Sequence, residues 1–450
     1  MKRSTLAVAL LLGAVLLAMP ALLFAAASAE QPAAPAVKKA VVLKMWGGVP
    51  PEAGPQKAVE AFNKQYADKG ITIEYERFVN DDQGNLKLET YLLSGSDIDV
   101  YISYTRTALL KRAQGNMAMD LTELIKKDKI DINAKFGEAT TKLAIDGKYY
   151  SIPTVAANNH GLLINKNMFD DAGIPVPTAW TFDEFREIAK KLTKGEGQNK
   201  VFGFYMNTAQ HLTYPIGFAA TNIGADASFK PGFKESNYDH PAFEKAFQTV
   251  TDMMLVDKTA VSHVDTITQK LTIESVFLAG KAAISIGPWI IRSIKNTQQF
   301  PHDFLTAFAP LPVMDKNSKA YRATDPGDLV SINPKSKNID AAWEFVKWYA
   351  DTGILELSRF GRFPYNPSID VNKVADALMT GAEKILDGPT LKSVMLSFPP
   401  NPMFAAFTAP PETAKVASEE VEAMYTGKKT VQQALADMKM RTDKILKEAR

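Results

Sequence analysis

From residue 40 to the C-terminus, short apolar runs alternate with segments whose apolar residues recur at helical spacing, the pattern of an α/β fold. Residues 40–46 read as a buried strand stopped by Gly47 and Gly48, and Pro50, Pro51, Gly54 and Pro55 turn the chain. Ala58, Val59, Phe62 and Tyr66 then share one helical face, and residues 71–76 alternate like a strand. Further strands are predicted at 99–103, 162–165, 281–286 and 329–332. Helices are predicted at 88–93, 107–113, 182–193, 243–255, 271–278 and 341–349, with two more over 414–449 broken at Gly427. The helix starting at 182 has the clearest entry signal: Thr181 and Glu184 form a capping box, and Trp180 can staple onto Phe185. Asp146-Gly147 reads as a two-residue hairpin turn between 143–145 and 149–152.

About 420 residues follow the first thirty, more than one core organises, so two lobes are expected. The first thirty read as a secretory signal peptide. Lys2 and Arg3 precede an uncharged apolar run over 6–24, and Ala27-Ser28-Ala29 fits a cleavage site. The run is long enough to span a bilayer as an uncleaved anchor, but Pro20 inside it and the small residues after it favour cleavage near Ala29. Residues 30–39 form a flexible, Pro/Ala-rich lead-in. The chain has no cysteine. That excludes disulfides, thiolate metal sites, thiol nucleophiles and a lipidated N-terminal Cys, so the exported protein is expected to be free in a periplasm and not a lipoprotein. Removing Lys2 and Arg3 with the leader leaves basic and acidic residues in equal number. Nothing in that balance recommends a nucleic acid or an anionic membrane as partner.

Motifs for chemistry are missing. No two of His160, His211, His240, His263 and His302 stand four apart on a helix, and there is no G-x-S-x-G, Walker A or G-x-G-x-x-G pattern. No metal or cofactor is implied. The carboxylate pairs Asp81/Asp82 and Asp97/Asp99 keep an exported glycan-active enzyme open as an alternative, although turn formation or solvated surface is the simpler reading of each.

Several blocks, in order, resemble the extracellular solute-binding proteins of family 1, the maltose-binding-protein-like receptors of carbohydrate ABC importers. They are the strand from Val42 through Trp46-Gly47, the run Leu93-Ser94-Gly95-Ser96-Asp97-Ile98-Asp99-Val100, and Asp146-Gly147-Lys148-Tyr149-Tyr150-Ser151-Ile152-Pro153. Asn165-Lys166-Asn167-Met168-Phe169 follows, then Ala172-Gly173-Ile174-Pro175 and Trp180-Thr181-Phe182-Asp183-Glu184-Phe185. Gly280-Lys281-Ala282-Ala283-Ile284, Gly287-Pro288-Trp289 and Ala341-Ala342-Trp343-Glu344-Phe345-Val346-Lys347 complete the series, which covers residues 40–450. The resemblance implies a two-lobed periplasmic binding protein type II fold, with a ligand cleft between the lobes. It implies lobe one at 40–156 plus 308–352, lobe two at 157–307 plus 353–450, and crossings near 153–158, near Pro310 and after Ala350. The implied function is capture of a mono- or oligosaccharide and its delivery to an inner-membrane ABC permease by a monomeric receptor without enzymatic activity. A receptor for a non-sugar solute, such as glycerol phosphate or a polyamine, is the alternative within binding proteins.

A sugar offers apolar C–H faces and a rim of hydroxyls, so its site needs a few aromatics and a few convergent polar groups on loops. By the resemblance, Trp289, after Gly-Pro at a strand end, stacks on sugar, and Phe407 stands where the family has a late aromatic. Trp46, also at a strand end, either lines the cleft or packs in the core. Tyr104 and Arg106 match a loop that supplies polar contacts. Asn158 stands where relatives carry an acidic contact, with Asn159 beside it. His211 and Tyr214 lie near a contact segment. Asp325, Asp328 and Arg362 are further polar candidates, with turn formation or solvation as the competing reading. Trp180, Trp343 and Trp348 are expected to pack along helices.

Overall fold

The computed structural model describes residues 40–158, 161–224, 226–317, 319–321, 324–396, 410 and 412–449. The leader and its cleavage site lie outside the described residues, as do Asn159, His160 and Phe407. Among the described residues, nine strands form two sheets. The first contains β1 (Val41–Gly47), β2 (Ile71–Arg77), β3 (Val100–Ser103), β4 (Ile152–Asn158) and β9 (Thr324–Ile332), in the order β2-β1-β3-β9-β4. The second contains β5 (Gly161–Asn165), β6 (Phe202–Tyr205), β7 (Ala282–Ser285) and β8 (Thr306–Pro310), in the order β6-β7-β5-β8.

Pairing directions make the sheet edges meet. β1, β2 and β3 are mutually parallel, while β9 returns antiparallel between β3 and β4, with Ser103 opposite Leu329 and Val155 opposite Gly327. β6 and β7 are parallel, and β5 runs antiparallel to both β7 and β8. The chain therefore passes from the first sheet to the second at the end of β4, and back between β8 and β9. Both passages leave from the edge where the parallel strands of each sheet end. Carboxyl ends of parallel strands are where open α/β sheets bind ligands.

The expected strands and helices recur with shifted ends: the helix predicted at 88–93 spans Asp82–Ser94 and that at 243–255 spans Pro241–Leu255, while the strand predicted at 281–286 shortens to Ala282–Ser285 and the helix predicted at 271–278 contracts to the π-helical turn Glu274–Leu278. The capping box at Thr181 and Glu184 is formed, and the Trp180 ring meets Phe185 edge-on at 5.2 Å. The hairpin expected around Asp146-Gly147 is reduced to its turn. Ile145 bridges Lys148, but Glu138–Leu143 winds as a 3₁₀ helix because Leu143 is drawn into a cluster with Leu109 and Leu329. A boundary at residue 308 cuts through β8, whose residues pair along its length with β5. The following chain stays with the second sheet: Val313 bridges Thr181, and the Tyr321 N–H donates to the Thr221 carbonyl at 2.8 Å.

Trp180, Trp343 and Trp348 are buried and each N–H is used, by the Pro310 carbonyl at 2.7 Å, Asp128 at 2.9 Å and Gln65 at 2.7 Å. Among the described residues no helix is long and apolar enough to cross a membrane.

Candidate functional site

At the end of β1 the chain passes through Gly47 and Gly48 with no room for side chains. A Cβ on Gly47 would lie 2.6 Å from the Tyr75 hydroxyl, and one on Gly48 would lie 3.0 Å from the Tyr104 ring. Two tyrosines therefore close over the strand end. The Gly48 N–H donates to the Tyr104 hydroxyl at 2.6 Å, and the Tyr75 hydroxyl donates to the Val49 carbonyl at 2.6 Å.

Asp328 enters the same place from β9, one residue beyond the Ser103–Leu329 pair. Its backbone is left-handed, with φ of 43°, a conformation that Asp tolerates better than most residues. The Asp328 carboxylate is 4% exposed. Its Oδ1 accepts from Arg362 Nη1 at 3.3 Å, while its buried Oδ2 has no hydrogen-bond partner among the described residues. Burial pushes this carboxyl above the usual range, and the Arg362 guanidinium pulls it back. Tyr75, Tyr104 and Tyr349 are all pushed up by burial first; the Asp328 charge comes next for Tyr104 and Tyr349, and after Tyr104 for Tyr75. Tyr349 opens a π-helical turn, Tyr349–Gly353, a distortion that often accompanies functional positions.

The second sheet contributes an aromatic surface. Trp289 follows β7 on the turn Pro288–Ile290 and is 38% exposed, whereas the other four tryptophans are 5% exposed or less. Tyr214 is buried behind it, with ring centres 6.2 Å apart, and its hydroxyl accepts from the Gly287 N–H at 3.3 Å. Asn207, two residues past β6, has a buried Oδ1 with no partner among the described residues. The two halves touch through the segment carrying Arg362. A Cβ on Gly361 would meet Ile291 at 2.9 Å and the Arg292 nitrogen at 3.3 Å. That segment also pairs with β4, where the Ala156 N–H donates to the Phe363 carbonyl at 2.7 Å. Arg362 and Trp289 thus stand on neighbouring turns at the junction of the sheets.

Tyr104, Asp328 and Arg362 therefore gather at the end of the first sheet, and Trp289 stands on the turn that leads into Ile291, which packs against Gly361. Asn158 and Asp325 close the β4–β9 ladder near the crossing, opposite Thr324 and Ala157. Two expectations are corrected. Trp46 is 4% exposed and points to the face covered by helix Asp82–Ser94, packed with Phe78, Leu88, Leu92 and Tyr101. Alternation along β1 sends it there while Met45 faces the main core. His211 is 2% exposed and locked inside the second lobe. Its Nε2 stands 3.0 Å from the Met206 carbonyl and must donate, so its Nδ1 accepts from His263 Nδ1–H at 2.6 Å. Tyr214 supports Trp289 from behind. Arg106 is tied to the Lys142 carbonyl, its Nη2 donating at 3.0 Å. Tyr75, Tyr349 and Asn207 escaped notice in the sequence, where Tyr75 looks like one more position of an alternating strand.

The carboxylate pairs have structural work. Asp81 caps helix Asp82–Ser94 by accepting from the Gly84 N–H at 2.8 Å, Asp99 accepts from the Lys44 N–H at 2.9 Å, and Asp97 pairs with the Lys44 side chain. Residues 47–354 match the family model of bacterial extracellular solute-binding proteins.

The chain belongs to that family.

This solute-binding protein is 26% identical over 265 residues to a maltotriose-binding protein of Pyrococcus abyssi, a match covering 58% of this chain and 52% of that protein, about half its length. Among solved structures, a sugar transporter from Rhizobium etli in an open conformation superposes with a TM-score of 0.71 at 21% identity, covering 90% of this chain and 99% of that one. A receptor from Streptomyces glaucescens, solved unliganded and with acarbose, superposes with a TM-score of 0.67 at 18% identity, covering 91% and 99%. The solute-binding protein thus has the two-lobed α/β fold of these receptors, and its family consists of binding proteins rather than enzymes.

Proposed function

We propose that this solute-binding protein captures a neutral mono- or oligosaccharide between its lobes and delivers it to an ABC permease. The observation that carries the reading is Trp289, the one tryptophan that is not buried, near the turn that bears Arg362. An indole face suits the C–H face of a sugar, and the free Oδ2 of Asp328 suits a hydroxyl donor. Arg362 balances the Asp328 charge, which favours a neutral ligand over a phosphate or a polyamine. The maltotriose-binding relative supports the same class.

In this proposal the first lobe is residues 40–158 with 324–352, and the second is 161–321 with 353–449. The division follows strand pairing and moves the late crossing past β8. The protein acts as a monomer, does no chemistry, and is exported by cleavage after Ala29.

Calorimetry against maltotriose, acarbose, glucose, glycerol phosphate and spermidine tests the reading. Saturable binding of a neutral sugar with no product by chromatography is expected. Binding of only the phosphate or the amine, or turnover of any glycan, refutes it. N-terminal sequencing of secreted protein is expected to begin at Glu30.

A further inference from the structure

Lys142 belongs to the first sheet's side of the molecule. It lies in the 3₁₀ segment Glu138–Leu143, anchored below by Leu143 against Leu109 and Leu329 and above by Arg106, which donates to its carbonyl. Asp226 belongs to the second. It follows helix Thr213–Ile223, whose Phe218 packs against Phe182 and Phe185. Asp226 is left-handed with φ of 59°, and the Phe229 N–H donates to its carbonyl at 2.9 Å, so the carboxylate sits on a built turn. The Lys142 ammonium and the Asp226 carboxylate nevertheless form an ion pair, 84 residues apart in sequence, with side chains 29% and 21% exposed.

We propose that Lys142 and Asp226 are an affinity-setting pair that touches no ligand and holds the two lobes together across the cleft. The pair exists only while the lobes stand close, so its free energy belongs to the closed arrangement alone. Apparent ligand affinity scales with the fraction of molecules in the binding-competent arrangement, and the pair raises that fraction. The pair is partly exposed, so high salt screens it. Arg106 then acts through Lys142 by fixing the segment that carries it. The inference rests on solute capture between the lobes, but lobe separation can be measured without a ligand.

The chain's lack of cysteine makes that measurement direct. Glu123→Cys on helix Thr122–Lys127 and Glu187→Cys on helix Phe182–Leu192 place spin labels on exposed positions of opposite lobes. Pulsed electron resonance on the ligand-free, full-length mature protein is expected to show a longer-distance population growing in Lys142→Ala and in Asp226→Asn. Asn is chosen because it tolerates the left-handed backbone. Lys142→Arg is expected to keep the original distribution, and 1 M salt to shift the parent toward the Lys142→Ala distribution. Superimposable distributions in the parent, both neutralised variants and high salt overturn the proposal. If one neutralised variant melts early, the other and the salt titration still decide it.

Calorimetry with maltotriose is expected to show affinity falling roughly two- to fivefold in Lys142→Ala, the yield of a partly exposed pair, through faster release. A distance shift without any sugar binding upholds the pair and refutes the sugar reading. Sugar binding with unshifted distances refutes the pair.

Discussion

Replacing Trp289 with Ala removes the surface on which the sugar reading depends. The residue is 38% exposed. A tryptophan side chain offers on the order of 150–250 Å² of contact surface, so roughly 60–95 Å² is open to a ligand. At about 25 cal/mol per Å² of apolar area covered, that amounts to about 1.5–2.4 kcal/mol, or about ten- to sixtyfold in affinity. Trp289 is more exposed than any other tryptophan and stands on a surface turn, so its loss is expected to leave the fold intact. Calorimetric titration of the parent and the variant with the sugar bound by the parent reads the effect, and thermal melting checks the fold. Trp289→Phe is expected to recover most of the affinity. A folded Trp289→Ala protein with unchanged affinity refutes the stacking argument and removes Trp289 from the site.

Asp328→Asn is expected to weaken sugar binding by roughly tenfold or more, since hydrogen bonds to charged groups are worth about 1.5–3 kcal/mol, while Asn still tolerates the backbone at φ of 43°; equal affinity in calorimetry contradicts its role. Acid is expected to weaken the fold through His211. Its pKa is lowered to about 4, first by burial and then by His263, which is itself lowered mainly by burial. The unfolded chain binds that proton near pH 6.5 and the folded one only near 4, so stability is complete above 6.5 and falls by up to about 3 kcal/mol as pH drops through this window. Urea melts at pH 7 and pH 4.5 measure this, and an unchanged His211→Asn difference between the two pH values contradicts it. Gly203→Ala is expected to destabilise by roughly 3 kcal/mol in the same assay. Its Cβ would stand 2.0 Å from the Ala189 carbonyl oxygen of the helix lying on β6.

Local signals made much of the fold legible. The strand through Val42 and Leu43, the helix entry at Thr181 and the break at Gly427 depend on neighbours a few residues away, and each formed where the pattern put it. β6 and β8 were missed. Phe202–Tyr205 and Thr306–Pro310 are short, and their strand identity comes from partners far along the chain. The hairpin around Asp146 failed for the same reason. Its turn residues are right, with φ of 50° and 76° at Asp146 and Gly147, but Leu143 is claimed by a distant cluster. In the site, Trp289 and Trp46 have similar credentials in sequence, an indole at a strand end within two residues of a glycine. One is 38% exposed and the other 4%, because helix Asp82–Ser94 covers only the second.

The amino-acid sequence by itself determined the class of fold, the order of most elements and the family, because periodicity, caps and motif order are properties of short stretches. Only the tertiary structure decided which side chains meet. Asp328 with Arg362, Tyr75 with the end of β1, and Lys142 with Asp226 are pairs separated by tens of residues. Their approach is set by the direction in which each strand enters its sheet, and no local pattern records that direction.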